Sequence, residues 1–159
     1  MIPSRREDKT LVLGIGNDIR GDDGIGVRIA RLLEGELPAQ FVVRECPTAG
    51  FDLLEALAGY KKAFLIDAVQ TPGGVAGEVY DVAVESTDTS RPLAPSHALS
   101  LPNVLELGKL LLGARMPEVR VLAIEAVALD AFSESLSAEL EGTLNTIVRT
   151  VRGRIERED

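Results

Sequence analysis

Hydrophobic positions along the chain follow two alternating patterns. Short apolar runs rich in Val, Ile and Leu predict strands, and apolar residues spaced three or four apart predict amphipathic helices. Strands are predicted at Thr10–Gly14, Phe41–Glu45, Ala63–Asp67, Gly77–Glu85 and Val119–Val127. Helices are predicted from Asp23 to Leu37, from Phe51 onward, from Leu101 to Leu112 and from Ser135 to Ile155. This alternation indicates an α/β fold: a mostly parallel sheet covered by helices on both faces, in three layers.

The length of the chain, 159 residues, fits one domain with a single sheet. Residues 10–156 are predicted to form that domain, and the polar residues 1–9 a flexible N-terminal segment. The run Ala63–Asp67 is apolar on both faces, as in a central parallel strand, whereas Gly77–Glu85 alternates like an edge strand. The one long irregular stretch, Ser86–Ser96, is rich in Ser, Thr and Pro, and such loops are often functional.

The charge balance and the rare residue types exclude several classes of function. A net charge of −8 argues against nucleic acid or an anionic membrane as partner, because phosphate groups are bound by clustered Lys and Arg. The single cysteine, Cys46, and the single histidine, His97, exclude a site with several thiolate or imidazole ligands. Without a signal-peptide pattern or a long apolar run, we expect a cytoplasmic protein.

Ligands of parallel α/β sheets bind beyond the carboxyl ends of the strands. This rule predicts a ligand site at the loops after Leu13, Glu45 and Asp67. The first of these loops, residues 14–26, is rich in glycine and invites a nucleotide-binding interpretation. The sequence opposes it, because Ile19 replaces the third glycine of a dinucleotide fingerprint and two acids replace the Lys and Ser/Thr of a phosphate loop.

Acidic residues and the lone imidazole converge on the same predicted edge. For Asp22 we favour a helix-capping role. The adjacent acid, Asp23, repels Asp22, and a bound cation would relieve this repulsion. Asp67 ends a strand that we expect to neighbour the first one. With His97, which follows the polar loop, these two acids form a set of oxygen and nitrogen ligands suited to zinc, nickel, cobalt or manganese. Cys46 follows a strand at this edge but is more typical of a buried small apolar residue.

The ordered motifs resemble those of a known family. Residues 13–17 (LGIGN), 22–28 (DDGIGVR), 48–50 (TAG), 65–68 (LIDA) and the run from Ser96 to Leu101 are similar to the signatures of the hydrogenase maturation proteases. These enzymes remove a short C-terminal extension from the large subunit of nickel–iron hydrogenases. The resemblance spans nearly the whole chain. It departs from the family at Glu45-Cys46-Pro47, where many members have a glycine-rich loop.

The resemblance implies a twisted five-stranded sheet and a metal-recognising site formed by Asp23, Asp67 and His97. It further implies nickel supplied by the large-subunit precursor, although another divalent metal could occupy the site. Substrate-binding residues are expected at the neighbouring loops: Gly16, Asn17, Glu45, Thr48 and Gly50. At Gly16 and Gly50 in particular we expect a positive φ or the close approach of a substrate backbone.

The function implied is that of a processing endopeptidase with the hydrogenase large-subunit precursor as partner, acting as a monomer or weak dimer. No HExxH helix occurs, so the sequence offers no catalytic base beyond a metal-bound water or one of the two acids. The alternative is a nickel- or divalent-metal-binding chaperone or sensor on the same fold without peptidase activity, because the same trio of ligands would serve both.

Overall fold

The structure, a computed structural model, describes residues 5–83 and 101–158 and contains one five-stranded sheet. The strands are β1 (Thr10–Ile15), β2 (Phe41–Cys46), β3 (Lys62–Val69), β4 (Val79–Ala83) and β5 (Glu118–Glu125). Their order across the sheet is β2-β1-β3-β5-β4. β1 pairs in parallel with β2 and β3, β3 pairs in parallel with β5, and only β4 runs antiparallel. The predicted mostly parallel α/β sheet is confirmed.

Helices cover both faces of this sheet, as predicted. They are α1 (Ile25–Leu33), α2 (Phe51–Leu57), α3 (Leu101–Leu112) and α4 (Ala138–Arg157). Successive side chains of a strand point to opposite faces, and every residue of β1 is buried. Leu13 therefore joins the core under α2 and α3, and Val12 joins the core under α1 and α4. The three-layer arrangement follows from this division of one apolar strand between two cores.

Several element boundaries differ from the predicted ones. A short 3-10 turn, Gly21–Gly24, precedes α1, so Asp23 lies before the α-helix, which ends at Leu33 rather than Leu37. The structure describes β4 only to Ala83. The predicted remainder of that strand, the Ser86–Ser96 loop and His97 lie outside the described residues.

The parallel strands β1, β2, β3 and β5 all end at the same edge of the sheet, called here the carboxyl edge. Helix α1 packs closely on the sheet near this edge. A Cβ atom on Gly26, in the first turn of α1, would lie 2.2 Å from the carbonyl oxygen of Ile66 in β3. Only glycine permits this approach. It brings the turn that carries Asp23 against the end of the strand that carries Asp67. None of the helices in the described part of the chain is long and apolar enough to span a membrane.

Candidate functional site

Two of the three predicted metal ligands, Asp23 and Asp67, lie close together at the carboxyl edge. Asp23 is in the 3-10 turn after β1 and is buried. Asp67 is half-buried near the end of β3, on the face covered by α2 and α3, two residues beyond Leu65 of that core. The third predicted ligand, His97, lies outside the described residues. Within residues 5–83 and 101–158, no three acidic, histidine or cysteine side chains form a group that could hold a metal.

The electrostatics of this pair favour a bound cation. Burial raises the pKa of Asp67 to about 7 from its ordinary value of 3.8, because desolvation disfavours the charged carboxylate. The negative charge of Asp23 raises this pKa further, whereas the hydrogen bond from the Ala68 N–H to Asp67 Oδ1 (2.8 Å) opposes the shift. A divalent cation close to Asp67 would favour its charged form and so offset the cost of ionising it.

Backbone hydrogen bonds orient both carboxylates and leave part of each available. Asp23 Oδ2 accepts from the Asn17 N–H at 2.9 Å, and Asp67 Oδ1 accepts from Ala68. The described residues provide no hydrogen bond to the second oxygen of either group. Each carboxylate therefore presents one oriented, uncommitted oxygen, which is the form in which carboxylates bind a metal ion. The donor set fits a divalent metal.

Asp22 has a different role from the one predicted. It is 1% exposed, and its side chain caps neither the 3-10 turn nor α1. Instead Oδ2 accepts from the N–H groups of Val127 (2.9 Å) and Ala128 (3.1 Å), and Oδ1 accepts from the Ser137 N–H (2.7 Å). Three charge-assisted bonds tie the loop between β5 and α4 to the turn that carries Asp23. The interpretation of Asp22 as the cap of its own helix was wrong, because its partners lie more than 100 residues away.

The predicted substrate-binding residues lie in the loops after β1 and β2, except Glu45, which is the second-last residue of β2. Asn17 has its side-chain oxygen bonded to the Ile19 N–H at 3.1 Å, which fixes the first turn of its loop. Glu45 is exposed and pairs with Arg31 of α1, at 2.6 Å between Oε1 and Nε. Thr48 is exposed at the beginning of the segment that leads to α2. The Cys46 thiol is buried and donates to the Thr48 carbonyl at 3.0 Å.

Gly16 and Gly50 differ in backbone conformation and in the space around them. Gly16 has φ +140°, and a Cβ atom there would lie 1.9 Å from the carbonyl oxygen of Asp23. Gly50 is extended (φ −153°), and a Cβ atom there would meet nothing within 4 Å. The expectation of a positive φ is therefore confirmed for Gly16 and wrong for Gly50, whereas close approach of a substrate backbone stays a prediction for both.

Substituting these two glycines is expected to give contrasting results. Gly16→Ala should lower the free energy of unfolding by about 3 kcal/mol, because the added methyl group collides with backbone in a conformation unfavourable to L-residues. Gly50→Ala should change it by less than about 1 kcal/mol. Urea unfolding of both variants measures the difference. Equal stabilities would show that the turn around Gly16 rearranges at little cost.

The raised pKa of Asp67 predicts a pH-dependent stability. The folded protein holds this proton more tightly than the unfolded chain, so the free energy of unfolding should fall as the pH rises from about 4 to about 7. Partial exposure of the side chain limits the loss to about 2 kcal/mol. In Asp67→Asn this component should vanish, whereas Asp52→Asn, at an exposed position of α2, should keep it. Denaturant unfolding with a chelator at pH 5 and pH 8 measures it; parallel profiles for wild type and Asp67→Asn would contradict the assignment.

Glu125 is a buried acid to which the sequence analysis assigned no role. It ends β5 and is 2% exposed, and Oε1 accepts from the Thr71 N–H (2.8 Å) and hydroxyl (3.0 Å). It thereby fixes the turn after β3, the strand that carries Asp67. The sequence contained the signal for it: an acid at the end of an apolar strand, the same pattern that identified Asp67.

Comparison with known proteins agrees with this fold. The model of the HycI family, described as hydrogenase maturation protease, matches residues 27–153. This range contains Asp67 and His97 and begins just after Asp23. The hydrogenase 2 maturation protease of Escherichia coli K12 is 33% identical over 102 residues, which are 61% of this chain. The matched region also spans 61% of that protein's length.

Solved structures extend the similarity to almost the whole chain. The hydrogenase maturating endopeptidase HybD of E. coli superimposes with a TM-score of 0.74 at 23% identity, over 94% of this chain and 93% of that one. A hydrogenase 2 maturation peptidase from a Thaumarchaeota archaeon gives a TM-score of 0.66 at 27% identity, over 93% and 98%.

Proposed function

The chain belongs to the hydrogenase maturation protease family, and we propose that it is an endopeptidase that removes the C-terminal extension of a nickel–iron hydrogenase large-subunit precursor. The observation that carries this proposal is the pair of carboxylates, Asp23 and Asp67, held side by side at the carboxyl edge with an open oxygen on each. A relative and a structural neighbour bear the names of hydrogenase maturation enzymes, which supports the assignment.

In this proposal nickel arrives as part of the substrate. Asp23, Asp67 and His97 would bind the nickel ion of the precursor, and its positive charge would allow both carboxylates to be ionised together. Neighbouring groups of the chain hold these ligands in position. The N–H groups of Asn17 and Ala68 orient the two carboxylates, and Gly16 permits the tight turn that places Asp23. Cleavage would then depend on whether the metal centre of the precursor is complete.

The predicted site has only three protein ligands, which come from separate segments of the chain. The two acids lie at the ends of neighbouring strands, and His97 precedes α3 by a few residues in the chain. A site with so few protein ligands has coordination positions left for groups of the precursor.

Intact-mass spectrometry of a purified precursor tests the proposal. The nickel-loaded precursor should lose one defined C-terminal peptide on incubation with this protein, and the nickel-free precursor should remain uncut. A nickel-loaded precursor that binds but keeps its full mass would favour the alternative, a metal-binding chaperone or sensor without peptidase activity. Equal cleavage of the nickel-loaded and the nickel-free precursor would contradict only the metal-recognition step.

A further inference from the structure

Two short segments joined by one parallel β-bridge, together called here the Phe132 ribbon, lie at the carboxyl edge beside the site. The ribbon consists of residues 19–21, before the 3-10 turn, and residues 131–134, in the loop between β5 and α4. The Gly21 N–H donates to the Ser133 carbonyl (2.7 Å), and the Ser133 N–H donates to the Ile19 carbonyl (3.1 Å), which forms a parallel bridge. The ribbon is continuous with the site, because Gly21 is two residues from Asp23.

The outer side of this ribbon is unpaired and apolar. Backbone groups of an extended segment alternate in direction, so the Phe132 N–H and C=O point away from residues 19–21. Neither has a hydrogen-bond partner among the described residues. The Phe132 side chain is 90% exposed and that of Ile19 is 42% exposed. The free backbone groups and the exposed ring together offer an extended partner both hydrogen bonds and an apolar contact.

Contacts around the ribbon hold it in place. The three bonds from Val127, Ala128 and Ser137 to Asp22 fix both ends of the loop that carries Phe132. An ion pair between Arg20 and Asp130 (3.1 Å) joins the two segments of the ribbon. A surface that is already ordered loses little conformational entropy when a partner binds, and this favours high affinity.

We propose that the Phe132 ribbon is a docking surface for an extended, apolar segment of the precursor polypeptide that has neutral or basic flanks. This inference rests on the proposed function. The free backbone groups of Phe132 call for an extended partner that adds a strand, and its ring calls for an apolar side chain. The exposed acid Glu134 lies two residues beyond Phe132, Asp130 on the other side is paired with Arg20, and the chain has a net charge of −8, so acidic flanks would be repelled.

Steady-state cleavage of the nickel-loaded precursor tests the inference. Phe132→Ala should raise KM at least tenfold and leave kcat within twofold. The substitution removes the contact between the ring and the precursor but leaves the metal site unchanged. Phe132→Tyr should keep KM near the wild-type value, because the ring is retained. Glu134→Lys should raise KM a few-fold, more at low salt than at high salt.

Leu110→Ala is the matched control. Leu110 is 83% exposed on α3, and that helix ends beside the start of β5, at the opposite edge of the sheet. This variant should keep KM within twofold. A KM for Phe132→Ala within twofold of wild type, or an equal rise for Leu110→Ala, would overturn the docking surface.

The two proposals fail in distinguishable ways. If the wild-type protein cleaves the precursor and Phe132→Ala cleaves it equally well, only the docking surface is wrong. If the wild-type protein leaves the nickel-loaded precursor uncut, the peptidase assignment is wrong. The ribbon is then tested by the Kd of the precursor for wild type and for Phe132→Ala, where equal values overturn it.

Discussion

Asp23→Asn is expected to abolish processing of the precursor while leaving the fold nearly intact. Asparagine is isosteric, and its side-chain oxygen can still accept the Asn17 N–H bond. The free energy of unfolding should therefore change by less than about 1 kcal/mol. The substitution removes one negative charge from the proposed nickel site, where a neutral amide is a much poorer ligand.

Intact-mass analysis of the precursor and urea unfolding of the variant measure these two effects separately. Normal processing by Asp23→Asn would exclude this carboxylate as a nickel ligand. A large loss of stability would show instead that Asp23 is a structural residue.

Asp22→Asn, at the adjacent position, is expected to have its main effect on stability. One amide oxygen cannot accept all three N–H bonds of Val127, Ala128 and Ser137, and the amide hydrogens would face at least one of these donors. Because the group is 1% exposed, water cannot replace the lost bonds. The free energy of unfolding should fall by about 4 kcal/mol.

The adjacent Asp-to-Asn variants serve as controls for each other, because they make the same chemical change one residue apart. Asp22→Asn should lower the midpoint of urea unfolding strongly, and Asp23→Asn should not. Wild-type stability in Asp22→Asn would mean that the three hydrogen bonds contribute little, and it would also remove the argument that the Phe132 ribbon is held rigidly.

The sheet and the proximity of Asp23 and Asp67 could be predicted because both follow from local sequence patterns. Burial of β1 and β3 on both faces produces continuous apolar runs, and the strand-end rule then locates Asp67 and the loop with Asp23. Boundaries were less accurate. The predicted start of α1 at Asp23 missed the 3-10 turn, because both kinds of helix begin with the same acidic and glycine residues.

Features that depend on distant partners could not be predicted. Asp22 looks like an ordinary helix cap in the sequence, and only the fold brings residues 127–137 to it. Phe132 is a single aromatic residue among polar and small neighbours, without any periodicity, so nothing local indicates that it is exposed at the edge of a ribbon. The positive φ expected at Gly50 was wrong, because a glycine before a helix has several possible reasons to be there.

The order of strands has a consequence for how the protein folds as it is synthesised. β1, β2 and β3 are neighbours in the sheet and emerge first from the ribosome, so they can pair early. β4 pairs in the described sheet only with β5, which is made 35 residues later (118 − 83). The partners of Asp22 come later still, at residues 127–137. A nascent chain therefore cannot fix the turn that carries Asp23 before residue 137 has emerged.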